Sequence, residues 1–271
     1  MTTPRCFIVR HGETEWSLSG KHTGTTNIPL TADGEKRVRA TGKALVGNDR
    51  LIVPKQLKAI YVSPRHRAQR TLELLDLGCH APYPWEKDPS SNPDSTTSAE
   101  ERQKSTRYTE AEVIITDRIA EWNYGDYEGV TSKEIKAQRE RNGLGPWDIW
   151  RDGCPGGESP EDVIKRVDDL IAEIREKYHS KVIGKSGEET GGTTGDVLVV
   201  AHGHILRAFA MRWVGKPLTE TALIMEAGGV GTLSYEHKRI EEPAILLGGG
   251  FVVPFETEKE VEKEEKEGKV K

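Results

Sequence analysis

Three short apolar runs in this sequence each end on arginine or histidine. Cys6–Val9 leads into Arg10-His11-Gly12, Ala59–Val62 leads into Ser63-Pro64-Arg65 with Arg67 just beyond, and Val197–Ala201 leads into His202-Gly203-His204. Guanidinium groups match phosphate oxygens two at a time. Imidazoles beside them offer a nucleophile and a stabiliser of charge. In an open α/β sheet, ligands bind outside the carboxyl ends of the strands. If the three runs are neighbouring strands, Arg10, His11, Arg65 or Arg67, and His202 converge on one anion pocket whose content suits phosphate. Helix N-termini following the strands add positive partial charge there. Each piece alone is common: an Arg-His-Gly triplet arises by chance, and a single histidine is usually structural. Repetition at three strand ends is what points to catalysis.

The elements that must position these residues alternate strand and helix. Ser159-Pro160-Glu161-Asp162 reads as a helix start with an N-cap, Pro at the first position and acids in the first turn. Val163, Ile164, Val167, Leu170, Ile171 and Ile174 then mark one apolar face to about Tyr178. The run from Ile205 reads as a helix closed by Gly215. Pro64 suits a helical first turn, and Thr31 or Asp33 caps another helix. This alternation predicts an α/β fold: a three-layer sandwich with a mostly parallel central sheet and helices on both faces. Residues 1–255 read as one domain. Two polar stretches, 86–109 and 180–195, read as mobile surface loops, and the charged stretch 256–271 reads as a solvated tail, since none can offset its ordering entropy.

Composition excludes several classes. The chain has 271 residues, and Lys+Arg 39 against Asp+Glu 44 leaves a net charge of −5, which argues against a globally basic nucleic-acid binder. The anion pocket would be locally positive on a negative protein. No stretch approaches the roughly 18 apolar residues of a membrane span, and the opening residues do not read as a signal peptide. Cys6, Cys79 and Cys154 form an odd set without a CxxC pair, as expected of free thiols in a reducing compartment such as the cytoplasm, with nuclear presence also allowed. Gly184-Lys185-Ser186 imitates the end of a phosphate-binding loop, but position 179, where the motif needs glycine, is His179. His202 and His204 do not share a helical face and have no carboxylate or thiol at ligand spacing, so no metal and no cofactor is expected.

Phe7 through Thr14, reading FIVRHGET, resembles the signature of the histidine phosphatase superfamily, which includes the cofactor-dependent phosphoglycerate mutases. Ser63–Thr71 and Val200–His204 are similar to its second and third motifs, and Glu121 in AEWNYGDYEG falls where the family has its acid. The resemblance implies a phosphoglycerate mutase-like fold and selects Arg67 over Arg65 as the phosphate-binding residue. It implies that His11 attacks phosphorus to form a phosphohistidine, with a carbonyl on its other ring nitrogen able to fix the tautomer. Arg10, Arg67 and His202 would hold the phosphoryl oxygens. Glu121 would protonate the leaving alkoxide and then activate water, and Trp122 would desolvate it. Thr23, Gly24 and Tyr124 are implied substrate contacts.

Phosphoglycerate mutases usually read Glu-Arg-His-Tyr-Gly at the acid motif, and this chain has no Arg-His after Glu121. The motif, with Pro4–Gly24, Pro146–Ser159 and Ala227–His237, is similar instead to the fungal sedoheptulose-1,7-bisphosphatases. That implies a small phosphorylated sugar as partner, neither nucleic acid nor membrane, and leaves a homo-oligomer open. A bisphosphate needs a second cationic locus, for which Arg207 is the first candidate and His237 the second. Trp147, Trp150, Arg151 and Asp152 would line the substrate side as a lid, although core packing is the commoner role for tryptophan. Another sugar-phosphate or fructose-bisphosphate phosphatase, a phosphoprotein phosphatase or catalytically silent binding protein on the same fold, and a phosphoglycerate mutase are the alternatives.

Overall fold

A computed structural model describes residues 1–87 and 107–247. Among them, β1 (Cys6–Arg10), β2 (Leu57–Val62), β3 (Glu112–Ile115), β4 (Asp196–Ala201), β5 (Val230–Tyr235) and β6 (Pro243–Leu246) form one sheet in the order β3-β2-β4-β1-β5-β6. The first four in that order are parallel, β5 is antiparallel to β1, and β6 is antiparallel to β5. The three runs that end on Arg or His are therefore adjacent, as β2-β4-β1. They read as continuous apolar runs because both faces of these strands are covered.

Alternation along each strand divides the core in two. Cys6, Ile8, Ala59, Tyr61, Val197 and Val199 face one side and pack with α6 (Pro160–Ile174) and α7 (Gly203–Trp213). Phe7, Val9, Ile60, Val62, Leu198 and Val200 face the other and pack with α2 (Ala32–Leu45) and α3 (His66–Leu74). The result is the expected sandwich, with helices on both faces. The smaller helices α1 (Glu15–Ser19), α4 (Ser132–Arg141) and α5 (Ile149–Asp152) belong to the loops above the carboxyl ends of the strands.

Local signals in the sequence are realised where a side chain meets a free N–H. Ser159 caps α6 in a reciprocal capping box with Asp162, Pro160 opens the helix, and the chain continues through a wider turn, Arg175–His179. Thr31, not Asp33, caps α2. Gly215 takes the left-handed conformation just past α7. Pro64 departs from expectation: α3 starts at His66, and Arg65 is its extended N-cap, so the proline lies outside the helix.

The polar stretches also fare differently from expectation. Residues 88–106 and the tail 256–271 lie outside the described residues. Thr109, at the end of the first stretch, is buried and bridges to Cys79. In 180–195 the chain makes turns, but Val182 is buried and Ile183 packs on the core, because two apolar residues there have a surface to cover. All three cysteines are buried free thiols. No described helix is long and apolar enough to cross a membrane.

Candidate active site

Beyond the carboxyl end of β1 lies a cavity of about 260 Å³ lined by Arg10, His11, Thr14, Ser17, Gly20, Lys21, His22, Thr23, Glu121, Tyr124, Gly203, His204, Arg207, Ile224 and Met225. The sheet order brings the five expected catalytic side chains together, but in two ranks. Arg10, His11 and Glu121 line the cavity. Arg67 and His202 are fully buried, with the His202 ring 5.0 Å from that of His11, centroid to centroid.

His11 continues the sheet through its backbone N–H to Ala201 O at 2.9 Å. Its Nδ1 lies 2.6 Å from Gly12 O. A carbonyl can only accept, so Nδ1 carries the proton and Nε2 keeps its lone pair. Burial, then the charges of Arg67 and Arg10, hold the His11 pKa well below the ordinary histidine range. The ring is therefore a neutral base with a fixed tautomer.

His202 has the opposite tautomer for the same reason. Arg67 Nε donates to its Nδ1 at 3.1 Å, so its proton is on Nε2, directed to Ser63 Oγ at 2.6 Å. Burial and Arg67 likewise depress its pKa. Arg67 Nη1 donates to Thr26 O at 2.9 Å, and Nη2 donates to Thr23 O at 2.9 Å and to Gly24 O at 3.4 Å, a carbonyl that also accepts from Arg65 Nε at 3.1 Å. Burial lowers Arg67 to about 10, with Glu121 pulling the other way.

Glu121 is 8% exposed and accepts three main-chain N–H groups: Trp122 and Ile205 on Oε1, both at 2.9 Å, and His204 on Oε2 at 3.1 Å. Two of these donors are the free N–H groups in the first turn of α7, where an anion is favoured. Trp122 thus meets Glu121 through its backbone N–H, while its indole Nε1 donates to Glu158 O at 3.0 Å.

Arg10, Arg207 and Tyr124 also line this cavity. Arg207 places its guanidinium 4.7 Å from the Trp150 ring centre. The Nε atoms of Arg207 and Arg10 are buried without a hydrogen-bond partner among the described residues, although Arg10 also donates to Met225 O at 2.7 Å. Tyr124 Oη lies 2.7 Å from His204 Nδ1. His204 is held at about 3 and His22 at about 4, in both cases mainly by burial. These two histidines also line a second cavity of about 560 Å³ beside α4, which includes Trp147. Trp147 and Trp150 pack against the core and do not line the first cavity.

Two expected substrate contacts change. Gly24 N is held by Glu128, at 3.1 Å from Oε1 and 2.9 Å from Oε2, and so is not free for a ligand. A side chain at position 24 would start 2.2 Å from Trp122 O, so this close approach requires glycine. Thr23 does line the cavity. His237 is the clear correction. β5 is antiparallel to β1 and pairs Val230 with Val9 and Leu233 with Cys6, so the chain leaves β5 at the amino end of β1, the end of the strands opposite His11. There His237 is exposed and bonds Glu242 at 2.7 Å. Sequence reasoning missed Lys21 and His22 as lining residues, although they directly precede Thr23-Gly24. It also weighed His204 only as a metal ligand, and rejected it as one.

Comparison with known proteins agrees with this geometry. The model of the histidine phosphatase superfamily (branch 1) matches residues 6–90 and 96–244. Sedoheptulose 1,7-bisphosphatase of Saccharomyces cerevisiae is 35% identical, over 94% of this chain and 96% of that protein. An acid phosphatase of Mycobacterium tuberculosis is 31% identical, over 93% of this chain and 96% of that protein. The solved structure of an open reading frame from the same bacterium superposes with a TM-score of 0.59 at 28% identity, covering 91% of this chain and 97% of that one. A neutral, tautomer-fixed histidine at the end of the first strand, on a chain whose family match runs through nearly all the described residues, leaves one assignment: this protein belongs to the histidine phosphatase superfamily, branch 1.

Proposed function

We propose that this protein is a metal-independent phosphatase that works through a phosphohistidine at His11, with sedoheptulose 1,7-bisphosphate as its substrate and the 1-phosphate as the group removed. The observation that carries the reaction is the His11–Gly12 bond of 2.6 Å, which leaves the Nε2 lone pair on a ring that lines a cationic cavity. That lone pair attacks phosphorus, the ester P–O bond breaks, and the departing alkoxide takes a proton from Glu121. Oε2 of Glu121 accepts one N–H where Oε1 accepts two, so Oε2 is the oxygen with room for that proton. The Glu121 carboxylate then takes a proton from water. The resulting hydroxide attacks phosphorus, the N–P bond breaks, and inorganic phosphate leaves with His11 restored.

Arg10 meets the charge on the transferring group from within the cavity, and Arg67 and His202 act from behind His11. The bisphosphate assignment draws on Arg207 and Lys21, cations in the same cavity beyond those adjoining His11. It also draws on the resemblance to the yeast sedoheptulose 1,7-bisphosphatase over almost the whole chain. The similar acid phosphatase favours a second reading, a phosphomonoesterase of wider range.

A panel of sugar mono- and bisphosphates assayed for released phosphate separates the two. The bisphosphatase reading expects the highest kcat/KM for the heptulose bisphosphate, unchanged by chelators, and ³²P trapped on wild type but not on His11→Ala. Equal turnover of all monoesters favours the wider reading. A fully active His11→Ala enzyme ends both.

A further inference from the structure

We infer that Glu128 is a positioning residue: it lies outside the cavity and sets the Arg67 guanidinium and, through it, the tautomer of His202. This rests on the phosphatase reading only for its kinetic consequences. One half-buried carboxylate gathers the N–H groups of three successive residues. Oε1 accepts from Gly24 at 3.1 Å, Thr25 at 3.1 Å and Thr26 at 2.9 Å, and Oε2 accepts from Gly24 at 2.9 Å. Successive N–H groups converging in this way form an anion-binding concavity, and here the anion is a side chain of the same chain.

With its N–H groups turned to Glu128, the loop gives its carbonyls to Arg67. Thr23 O, Gly24 O and Thr26 O accept from the two terminal nitrogens of the guanidinium. That leaves Nε to donate to His202 Nδ1 at 3.1 Å, and the donation forces the His202 proton onto Nε2. The adjoining residues lock the same geometry: Gly129 N donates to His22 O at 2.8 Å, and His22 N donates to Val130 O at 3.0 Å. The path therefore runs from Glu128 through the 23–26 loop to Arg67 and His202, and His202 stands beside His11. No other carboxylate among the described residues bonds the N–H groups of this loop.

Two readouts test the path. The first is the ¹⁵N spectrum of the His202 ring in the free enzyme, which needs no substrate. Wild type should show Nδ1 unprotonated and Nε2 protonated, and Glu128→Ala should lose that single tautomer. The second is a cycle of Glu128→Ala, Arg67→Ala and the double variant, assayed on an aryl phosphate. Glu128→Ala alone should lower kcat by roughly 10- to 100-fold with KM little changed, the scale of a small misplacement away from the chemistry. In the Arg67→Ala background the same change should cost almost nothing, since its route of action is gone.

Glu128→Gln keeps an oxygen for the three N–H groups now on Oε1 and should recover much of the rate. It replaces Glu128→Ala in the cycle if the alanine variant does not fold. Multiplicative losses in both backgrounds, or an unchanged His202 spectrum, overturn the inference. A wild type that releases no phosphate from any ester ends the phosphatase reading and leaves the spectral test standing.

Discussion

Arg207→Ala tests the bisphosphate assignment. Arg207 lines the cavity, stacks on Trp150 at 4.7 Å and forms no ion pair with any carboxylate among the described residues. Its Nε is buried without a partner. Burial lowers its pKa, while Glu121 and Tyr124 raise it. A desolvated, unpaired cation of this kind costs free energy in the empty enzyme and recovers it when an anion arrives. Hydrogen bonds to a charged group are worth about 1.5–3 kcal/mol. Removing the guanidinium should then lower kcat/KM for a sugar bisphosphate by roughly 10- to 150-fold, taking about 1.4 kcal/mol per factor of ten. Fold stability should fall by no more than about 2 kcal/mol, because the guanidinium supports the fold through its stack on Trp150, a cation–π interaction worth about 0.5–1 kcal/mol when exposed and about 2 when desolvated. The assay compares kcat/KM for sedoheptulose 1,7-bisphosphate with that for an aryl monophosphate. The monophosphate should barely respond, since it has no second phosphate to hold. Arg207→Lys should fall between wild type and alanine, keeping charge but losing the fork. If both substrates lose equally, Arg207 serves the reacting phosphate or the field at Glu121, and the reasoning fails.

Glu121→Gln should slow turnover of a sugar phosphate by roughly 10²–10⁴-fold and an aryl phosphate far less, since a good leaving group needs no proton. Equal losses on both would give Glu121 a different task. Acid should destabilise the fold well before the carboxylates are protonated. Burial holds His179 at about 3 against an ordinary 6.5, so the unfolded chain gains a proton that the folded one refuses, and stability falls as pH drops from 6.5 toward 3. Each such histidine contributes a slope of about 1.4 kcal/mol per pH unit. Denaturant titrations from pH 7 to pH 5 should show the slope, and His179→Gln should reduce it by about one proton. A flat profile would contradict the burial argument.

Much of the site was legible because strand chemistry announces itself locally. The runs ending at Arg10, Ser63 and His202 are continuous and apolar, as strands covered on both faces must be, and their ends had to share an edge once the strands were parallel neighbours. The order β2-β4-β1 was not legible: pairing Cys6 with Val197 joins segments with most of the chain between them, and no local pattern encodes it. β5 and β6 were missed, and with them the direction in which His237 leaves the sheet. The topology puts His237 at the other end of the strands.

The division into two ranks is the deeper reason why side-chain motifs under-describe this site. A sequence shows the donors and acceptors of side chains, whereas the selectivity here is made by main-chain groups. Gly12 O chooses the His11 tautomer, and two N–H groups of α7 seat Glu121. Three N–H groups of the 23–26 loop meet Glu128, and the carbonyls of the same loop are taken up by Arg67. Read as a motif, Arg67 is a free phosphate ligand, because nothing in its neighbours' side chains competes for it. In the fold four of its five N–H groups are committed, one to His202 and three to backbone carbonyls. Burial first, and the Arg67 charge second, keep His11 and His202 neutral. A chain of net charge −5 thereby keeps a cationic pocket whose histidines remain unprotonated. The positive charge comes from Arg10, Arg67 and Arg207, and on the proposed reading the unprotonated Nε2 of His11 is the nucleophile.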